Sequence, residues 1–229
     1  MICAVIFDVD GTLVDSVDLH AEAWHRAFLH FGFDIPVERI RTQIGKGGDK
    51  LMPVFLPRQV LQEKGEEIEK FRGDLFKNDY LPRVRSFPRV RELFEKIRSE
   101  GLKIALASSA KKDELKSLKQ IARIEDLVDC ETSADDIESS KPDPDVFHAA
   151  LQCLRSIRPE QAIAVGDTPY DASASRKAGV ACIGLLCGGF PEDDLRNAGC
   201  IAIYADPADL LAKYETSPLA TRHSQEEVA

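Results

Sequence analysis

The chain lacks a long apolar run. Nothing in its 229 residues approaches the roughly 18 consecutive apolar positions that a membrane helix needs. Its opening, MICAVIFDVDG, reaches acids at once with no basic stretch before them, which is not the pattern of a secretory leader. A basic surplus is missing too. Against 30 Lys and Arg stand 39 Asp and Glu, a formal net charge of -9, which argues against nucleic acid or an anionic membrane as the main partner. There is no Cys-x-x-Cys pair. Cys3, Cys130, Cys153, Cys182, Cys187 and Cys200 stand apart, most inside apolar runs, so reduced, buried thiols in a cytoplasmic protein are expected. No internal repeat and no low-complexity segment interrupts the chain. What is there, 44% hydrophobic and 30% charged residues, suits a globular protein with a sizeable core.

Short apolar runs alternate with helix-like segments. The runs are Ile2–Phe7, Leu102–Ala107, Leu127–Cys130, Ala162–Val165, Val180–Leu186 and Cys200–Tyr204. Strands buried on both faces read this way. Between them, Arg89–Ser99 places Val90, Leu93, Phe94 and Ile97 on one helical face. Strand–helix alternation implies an α/β fold, a parallel sheet covered by helices on both sides. From Ser16 to Arg83 there are helix signals and no strand run. Ser16 suits an N-cap, Val17, Ala21, Trp24, Phe28 and Phe31 keep helical spacing, and Gly32 can end that helix. Further helices are expected near Val37–Gln43 and from Pro57 to Tyr80. The expected organisation is a discontinuous core of residues 1–15 and 84–215, a small helical domain of residues 16–83, and a polar, mobile tail of residues 216–229.

Four strand ends carry chemistry. Ala4–Phe7 runs into Asp8-Val9-Asp10-Gly11-Thr12. Alternation along a strand starts Asp8 and Asp10 on one face, at the carboxyl edge where open α/β sheets bind ligands. Neighbouring carboxylates repel unless a cation sits between them, and a hard divalent ion such as Mg²⁺ suits them. The same residues also suit an acidic surface turn; an EF-hand is excluded because the spaced ligands and closing Glu are absent. Ser108-Ser109 follow the run to Ala107 and can hydrogen-bond a phosphate, or simply form a turn. Lys141 precedes Pro142-Asp143-Pro144, where Pro144 suits the first helical position, and it can hold an anion or be a surface lysine. Asp167 and Asp171 follow the run to Val165, able to converge on a metal or to serve as helix-cap acids.

Taken in order, these residues resemble the haloacid dehalogenase superfamily of hydrolases. Asp8-Val9-Asp10-Gly11-Thr12-Leu13-Val14-Asp15-Ser16 matches its first motif, Ser108 the second, Lys141 the third, and Gly166-Asp167 through Asp171 the fourth. The resemblance covers nearly the whole chain apart from the tail. It implies a Rossmann-like three-layer core with a helical cap between the first two motifs, as in the phosphoglycolate phosphatase and β-phosphoglucomutase branch. By the same resemblance Asp8 is the nucleophile and Asp10 the acid/base. Asp8, the Asp10 backbone carbonyl, Asp167 and Asp171 hold or support Mg²⁺, and Ser108 and Lys141 hold the phosphoryl oxygens. Thr12 would position Asp10 or take part in the hinge.

Within the superfamily, Asp10, Asp167 and Asp171 argue against a dehalogenase, and Asp10 against a phosphonoacetaldehyde hydrolase. His20 resembles a hinge histidine of the mutase, but Gly45-Lys46-Gly47-Gly48-Asp49-Lys50 departs from the mutase's phosphate-binding arginine. Thr12, His20, Ser109, Lys46 and Lys50 are candidate contacts to the substrate; the glycine-rich loop also suits a solvated connection. Arg41 and Lys77 read as surface cations. The expected activity is a Mg²⁺-dependent phosphatase of a small phosphate monoester, phosphoglycolate- or sugar-phosphate-like, with a phosphomutase as the alternative and a catalytically inactive phosphate-binding protein as the third reading. Either a monomer or a homodimer is compatible with the sequence.

Overall fold

A computed structural model of the chain describes residues 1–220. Ala4–Phe7 forms β1, and Val14–Asp15 the short β2. Four helices follow: α1 (Val17–His30), α2 (Val37–Arg41), α3 (Gly48–Phe55) and α4 (Arg58–Leu75). The last continues through a π-helical turn, Phe76–Tyr80. β3 (Arg85–Ser86) returns antiparallel to β2, with Val14 opposite Ser86 and Asp15 opposite Arg85. The chain then alternates through α5 (Val90–Ser99), β4 (Lys103–Ala107), α6 (Lys112–Ala122), β5 (Cys130–Thr132), α7 (Asp145–Cys153), β6 (Ala162–Gly166), α8 (Pro169–Lys177), β7 (Ala181–Leu185), α9 (Glu192–Ala198), β8 (Cys200–Tyr204) and α10 (Pro207–Ala212).

The main sheet has the order β5-β4-β1-β6-β7-β8, with every pairing parallel. β1 lies between β4 and β6, with Phe7 opposite both Leu106 and Val165. The strand order reverses here, and the crevice at such a switch point is where open sheets bind ligands.

Residue size is sorted between the two faces of the central strands. Val5, Phe7, Ile104, Leu106, Ile163 and Val165 face one core with α5, α6 and α10. Ala4, Ile6, Ala105, Ala107, Ala162 and Ala164 face the other with α7 and α8. On α5, Leu93, Phe94 and Ile97 are fully buried, each contributing about 1.5–3 kcal/mol relative to exposure. The helices between β2 and β3 have a third core, centred on Trp24, Phe28, Ile40, Leu51 and Ile68.

Several expectations need correction. The strand expected at Leu127–Cys130 lies at Cys130–Thr132; at Asp129 the backbone N–H bonds the Ile104 carbonyl, but the side-chain carboxylate, not a backbone carbonyl, accepts the Ile104 N–H at 2.8 Å. Ser16 precedes α1 but makes no cap bond; its hydroxyl donates to Asp10 instead. Pro144 occupies the N-cap of α7 rather than its first turn. Gly48 and Lys50, expected in a loop, begin α3. Cys130 and Cys153 form a disulfide with their Cα atoms 6.2 Å apart, against the expectation of six free thiols. The edge strand β5 and the end of α7 meet in space, which a sequence separation of 23 does not reveal. The proposed tail begins too early: Ser217 and Leu219 are buried, while residues 221–229 lie outside the described residues. Among the described residues no helix is long and apolar enough to cross a membrane.

Candidate active site

Asp8 is the first residue past β1, yet its N–H still bonds the Val165 carbonyl at 2.9 Å. The sheet therefore fixes its backbone. Its carboxylate is buried, with Lys141 Nζ 2.5 Å from Oδ1. Lys141 is 1% exposed. It also lies 2.8 Å from Asp171 Oδ1 and donates to the Ala107 carbonyl at 2.9 Å. Asp171 in turn closes the start of α8: its Oδ2 accepts from the Thr168 N–H and hydroxyl, and Thr168 Oγ1 accepts the Asp171 N–H. The capping box thus anchors the carboxylate that holds Lys141.

Asp167 follows β6 by one residue and is fully buried. Its Oδ1 accepts from Thr12 Oγ1 at 2.8 Å, and the same hydroxyl lies 3.2 Å from Asp8 Oδ2. Thr12 therefore positions Asp8 and Asp167 rather than Asp10. Ser108, one past β4, is buried; its N–H donates to the Thr132 carbonyl and its Oγ accepts the Ala110 N–H.

Asp10 is held on a different side. Its Oδ1 accepts from Ser16 Oγ at 2.6 Å and lies 2.9 Å from His20 Nε2. His20 stacks on Phe76 with centroids 3.9 Å apart. Lys46 sits over the Tyr170 ring at 4.5 Å and donates to Gln43 Oε1; burial pulls its ammonium below the usual lysine value. Ser109 donates to the Gly45 carbonyl at 3.4 Å. A cavity of about 40 Å³ is lined by Asp8, Asp10, His20, Lys46 and Ser109, joined by Trp24, Arg72 and Glu114. Lys50 does not line it; it pairs with Asp143 at 2.7 Å, pinning α3 to the core. Arg41 is likewise a clamp, bonding Asp18 and the Gly188 carbonyl. Arg72 and Glu114 escaped the sequence reading because each sits in a helix full of surface charges, with no spacing that marks it.

The electrostatics suit a cation. Burial pushes the Asp8 carboxyl up to about 7, with Asp171 and Asp10 adding to a rise that Lys141 only partly opposes. Burial, then Asp8 and Asp171, raises Asp167 well above the carboxylate range. Lys141 is held above its ordinary value because Asp171 and Asp8 outweigh the cost of its burial. Burial also works on Asp10, but His20, Ser16 and Arg72 outweigh it and hold that carboxyl low. One ammonium thus faces the carboxylates of Asp8, Asp167 and Asp171, which each offer an oxygen within a 4.8 Å cluster. Asp167 Oδ2 has no hydrogen-bond partner. Gly11, at φ +81°, and Gly188 both face Asp167, and a Cβ at either would overlap its Oδ2. Hard oxygen donors, a surplus of negative charge and a space kept clear of side chains fit a divalent cation. The side chain of Asp10 falls outside this cluster, with His20 and Glu114.

A buried carboxylate thus stands at the switch point of a parallel sheet, beside a lysine and an acidic cluster suited to a cation. Residues 5–185 match the family model described as haloacid dehalogenase-like hydrolase, and the chain belongs to that family. It is 31% identical to a phosphoglycolate phosphatase of Nitrosospira multiformis over 79% of this chain and 82% of that one. It is 27% identical to a phosphorylated carbohydrates phosphatase of Thermotoga maritima, over 91% and 96%. Among solved structures, a hydrolase from Pseudomonas syringae superposes with a TM-score of 0.87 at 27% identity, over 96% of this chain and 100% of that one. The chain is an enzyme, a phosphohydrolase of this family.

Proposed function

We propose that the chain is a Mg²⁺-dependent phosphatase of small phosphate monoesters, acting in the cytoplasm through a phosphorylated Asp8. One observation carries the reading: Asp8 is fixed at the sheet edge against Lys141, inside the acidic cluster it forms with Asp167 and Asp171. Asp8, Asp167 and the backbone at Asp10 would hold the ion, with Asp171 in support through Lys141 or water. Bound there, Mg²⁺ would neutralise charge as carboxylate and phosphate approach.

Asp8 attacks phosphorus, and the bond from phosphorus to the ester oxygen breaks. Lys141 and Ser108 hold the phosphoryl oxygens, Lys141 offsetting their charge. Asp10 handles the proton. In the first half a protonated Asp10 gives its proton to the leaving oxygen and is left ionised. In the second half it takes a proton from the water that attacks phosphorus, the bond to Asp8 breaks, and phosphate leaves. The cavity is small, and substrate entry would have the helical insert lift from the core. The contacts that part include Tyr170 Oη to the Thr42 carbonyl (2.6 Å), the Gly47 N–H to Ser140 Oγ (3.0 Å), Arg41 to the Gly188 carbonyl, and Lys50 to Asp143.

Phosphate release from a panel of metabolites tests this. Activity should vanish with chelation and with Asp8→Asn, and beryllofluoride with Mg²⁺ should be trapped on Asp8. Activity indifferent to both treatments would reject it. The His20–Asp10 contact also supports a phosphomutase. That reading requires β-glucose 1-phosphate to give glucose 6-phosphate faster than free phosphate.

A further inference from the structure

Three polar atoms beside the cavity are buried and have no hydrogen-bond partner: Arg72 Nε, Glu114 Oε1 and His20 Nδ1. Their residues come from three helices, α4, α6 and α1, and all line the same cavity. Arg72 is a side chain held in place. Its guanidinium carbon lies 5.1 Å from the Trp24 ring centroid and 5.7 Å from that of Phe76. Its Nη1 stands 3.7 Å from Glu114 Oε2, beyond hydrogen-bond reach. Glu114 Oε1 is 3.9 Å from His20 Nε2, also too far for a hydrogen bond. Unpaired buried groups of this kind are costly, and three around one cavity mark a place where a ligand completes the bonding.

Their chemistry limits what that ligand can be. Arg72 only donates, and an ionised Glu114 only accepts. A hydroxyl does both, and can bridge the two. A carboxylate can satisfy Arg72 but brings a second negative charge against Glu114, with Asp10 nearby. We infer that Arg72 and Glu114 are a specificity pair that reads a hydroxyl on the leaving group and rejects a carboxylate there. The substrates are then phosphate esters of neutral polyols or sugars rather than of hydroxy acids. This deepens the proposed phosphatase reading and rests on it. Arg72 and Glu114 take no part in the reaction at phosphorus; they determine which ester is accepted.

Two matched esters test it: 2-hydroxyethyl phosphate and phosphoglycolate, which share a two-carbon chain and differ in the terminal group. The full-length enzyme with Mg²⁺ should favour the hydroxyl ester in kcat/KM by at least about 100-fold, within the roughly 10⁴–10⁵-fold that a site built to bond a hydroxyl can reach. Glu114→Gln should cut that ratio at least tenfold by admitting phosphoglycolate, while Glu114→Asp, which keeps the charge, should preserve most of it. Preference for phosphoglycolate, or an unchanged ratio in Glu114→Gln, overturns the specificity pair. Hydrolysis of p-nitrophenyl phosphate is the separate control. If it proceeds and is lost in Asp8→Asn, the phosphatase reading stands whatever the ratio. If the wild-type enzyme releases no phosphate from any ester, that reading fails and this one falls with it.

Discussion

Lys141 is the member of the site whose removal is easiest to quantify. Lys141→Met keeps an unbranched stem and deletes the ammonium that lies 2.5 Å from Asp8, 2.8 Å from Asp171 and 2.9 Å from the Ala107 carbonyl. Breaking a buried pair by removing one partner costs about 3–5 kcal/mol, because a charge is left without compensation. Protonation relieves part of that cost. The Asp8 carboxyl sits at about 7 with Lys141 present, against an ordinary 3.8; without the lysine it must rise further. Through the window above 7 the folded variant then holds a proton that the unfolded chain does not. Its stability falls as pH rises there, whereas the Asp8 contribution in the wild type has already levelled off. Each further unit of displacement is about 1.4 kcal/mol. Urea unfolding in EDTA should give a destabilisation of about 2 kcal/mol near pH 6 and about 4 kcal/mol near pH 8.5. A penalty below about 1 kcal/mol at the higher pH, or one that shrinks as pH rises, would refute the electrostatic account of this site.

Asp167→Asn should do the opposite to the metal-free protein. It removes a buried carboxylate from beside Asp8 and Asp171, so melting in EDTA should shift upward while the upward shift on adding Mg²⁺ disappears; a lower melting temperature in EDTA would contradict this. Metal binding to the wild type should release protons, because Asp8 and Asp167 are raised by burial and must ionise to ligate. Apparent Mg²⁺ affinity should therefore increase as pH climbs through about 7, and calorimetry in buffers of different ionisation enthalpy should detect the protons. Tyr170→Phe deletes the hydroxyl that donates to the Thr42 carbonyl. It should cost about 0.5–1.5 kcal/mol of closure, seen as a changed KM with little change in global unfolding.

How much of this was legible in the sequence follows from the range of each interaction. Buried parallel strands announce themselves locally, so Cys200–Tyr204 has the bounds expected of it and Arg89–Ser99 differs from α5 by one residue. Asp8, Lys141, Asp167 and Asp171 are each expected at strand ends; Lys141 lies instead in the connection from β5 to α7 and Asp171 in the first turn of α8, yet the structure brings all four together. Which carboxylate Thr12 touches, and that Ser16 serves Asp10 rather than α1, depends on how the turn after β1 curls. Arg72 and Glu114 meet across 42 positions only because α4 is laid over α6; nothing in either helix signals the other. The Cys130–Cys153 bridge is hidden for the same reason.

The pairing of β2 with β3 has a consequence for how the molecule can be assembled or rebuilt. Because Val14 lies opposite Ser86 and Asp15 opposite Arg85, the intervening chain leaves and re-enters the core at neighbouring points, one strand spacing (about 5 Å) apart. To the sheet, that whole excursion resembles the loop of a hairpin, and loop-closure entropy grows only with the logarithm of loop length. The insert can therefore lengthen, shorten or be exchanged with little effect on the topology of the sheet. Arg72 travels with the insert while Glu114 stays with the core, so an exchanged insert changes one half of that pair and keeps the other.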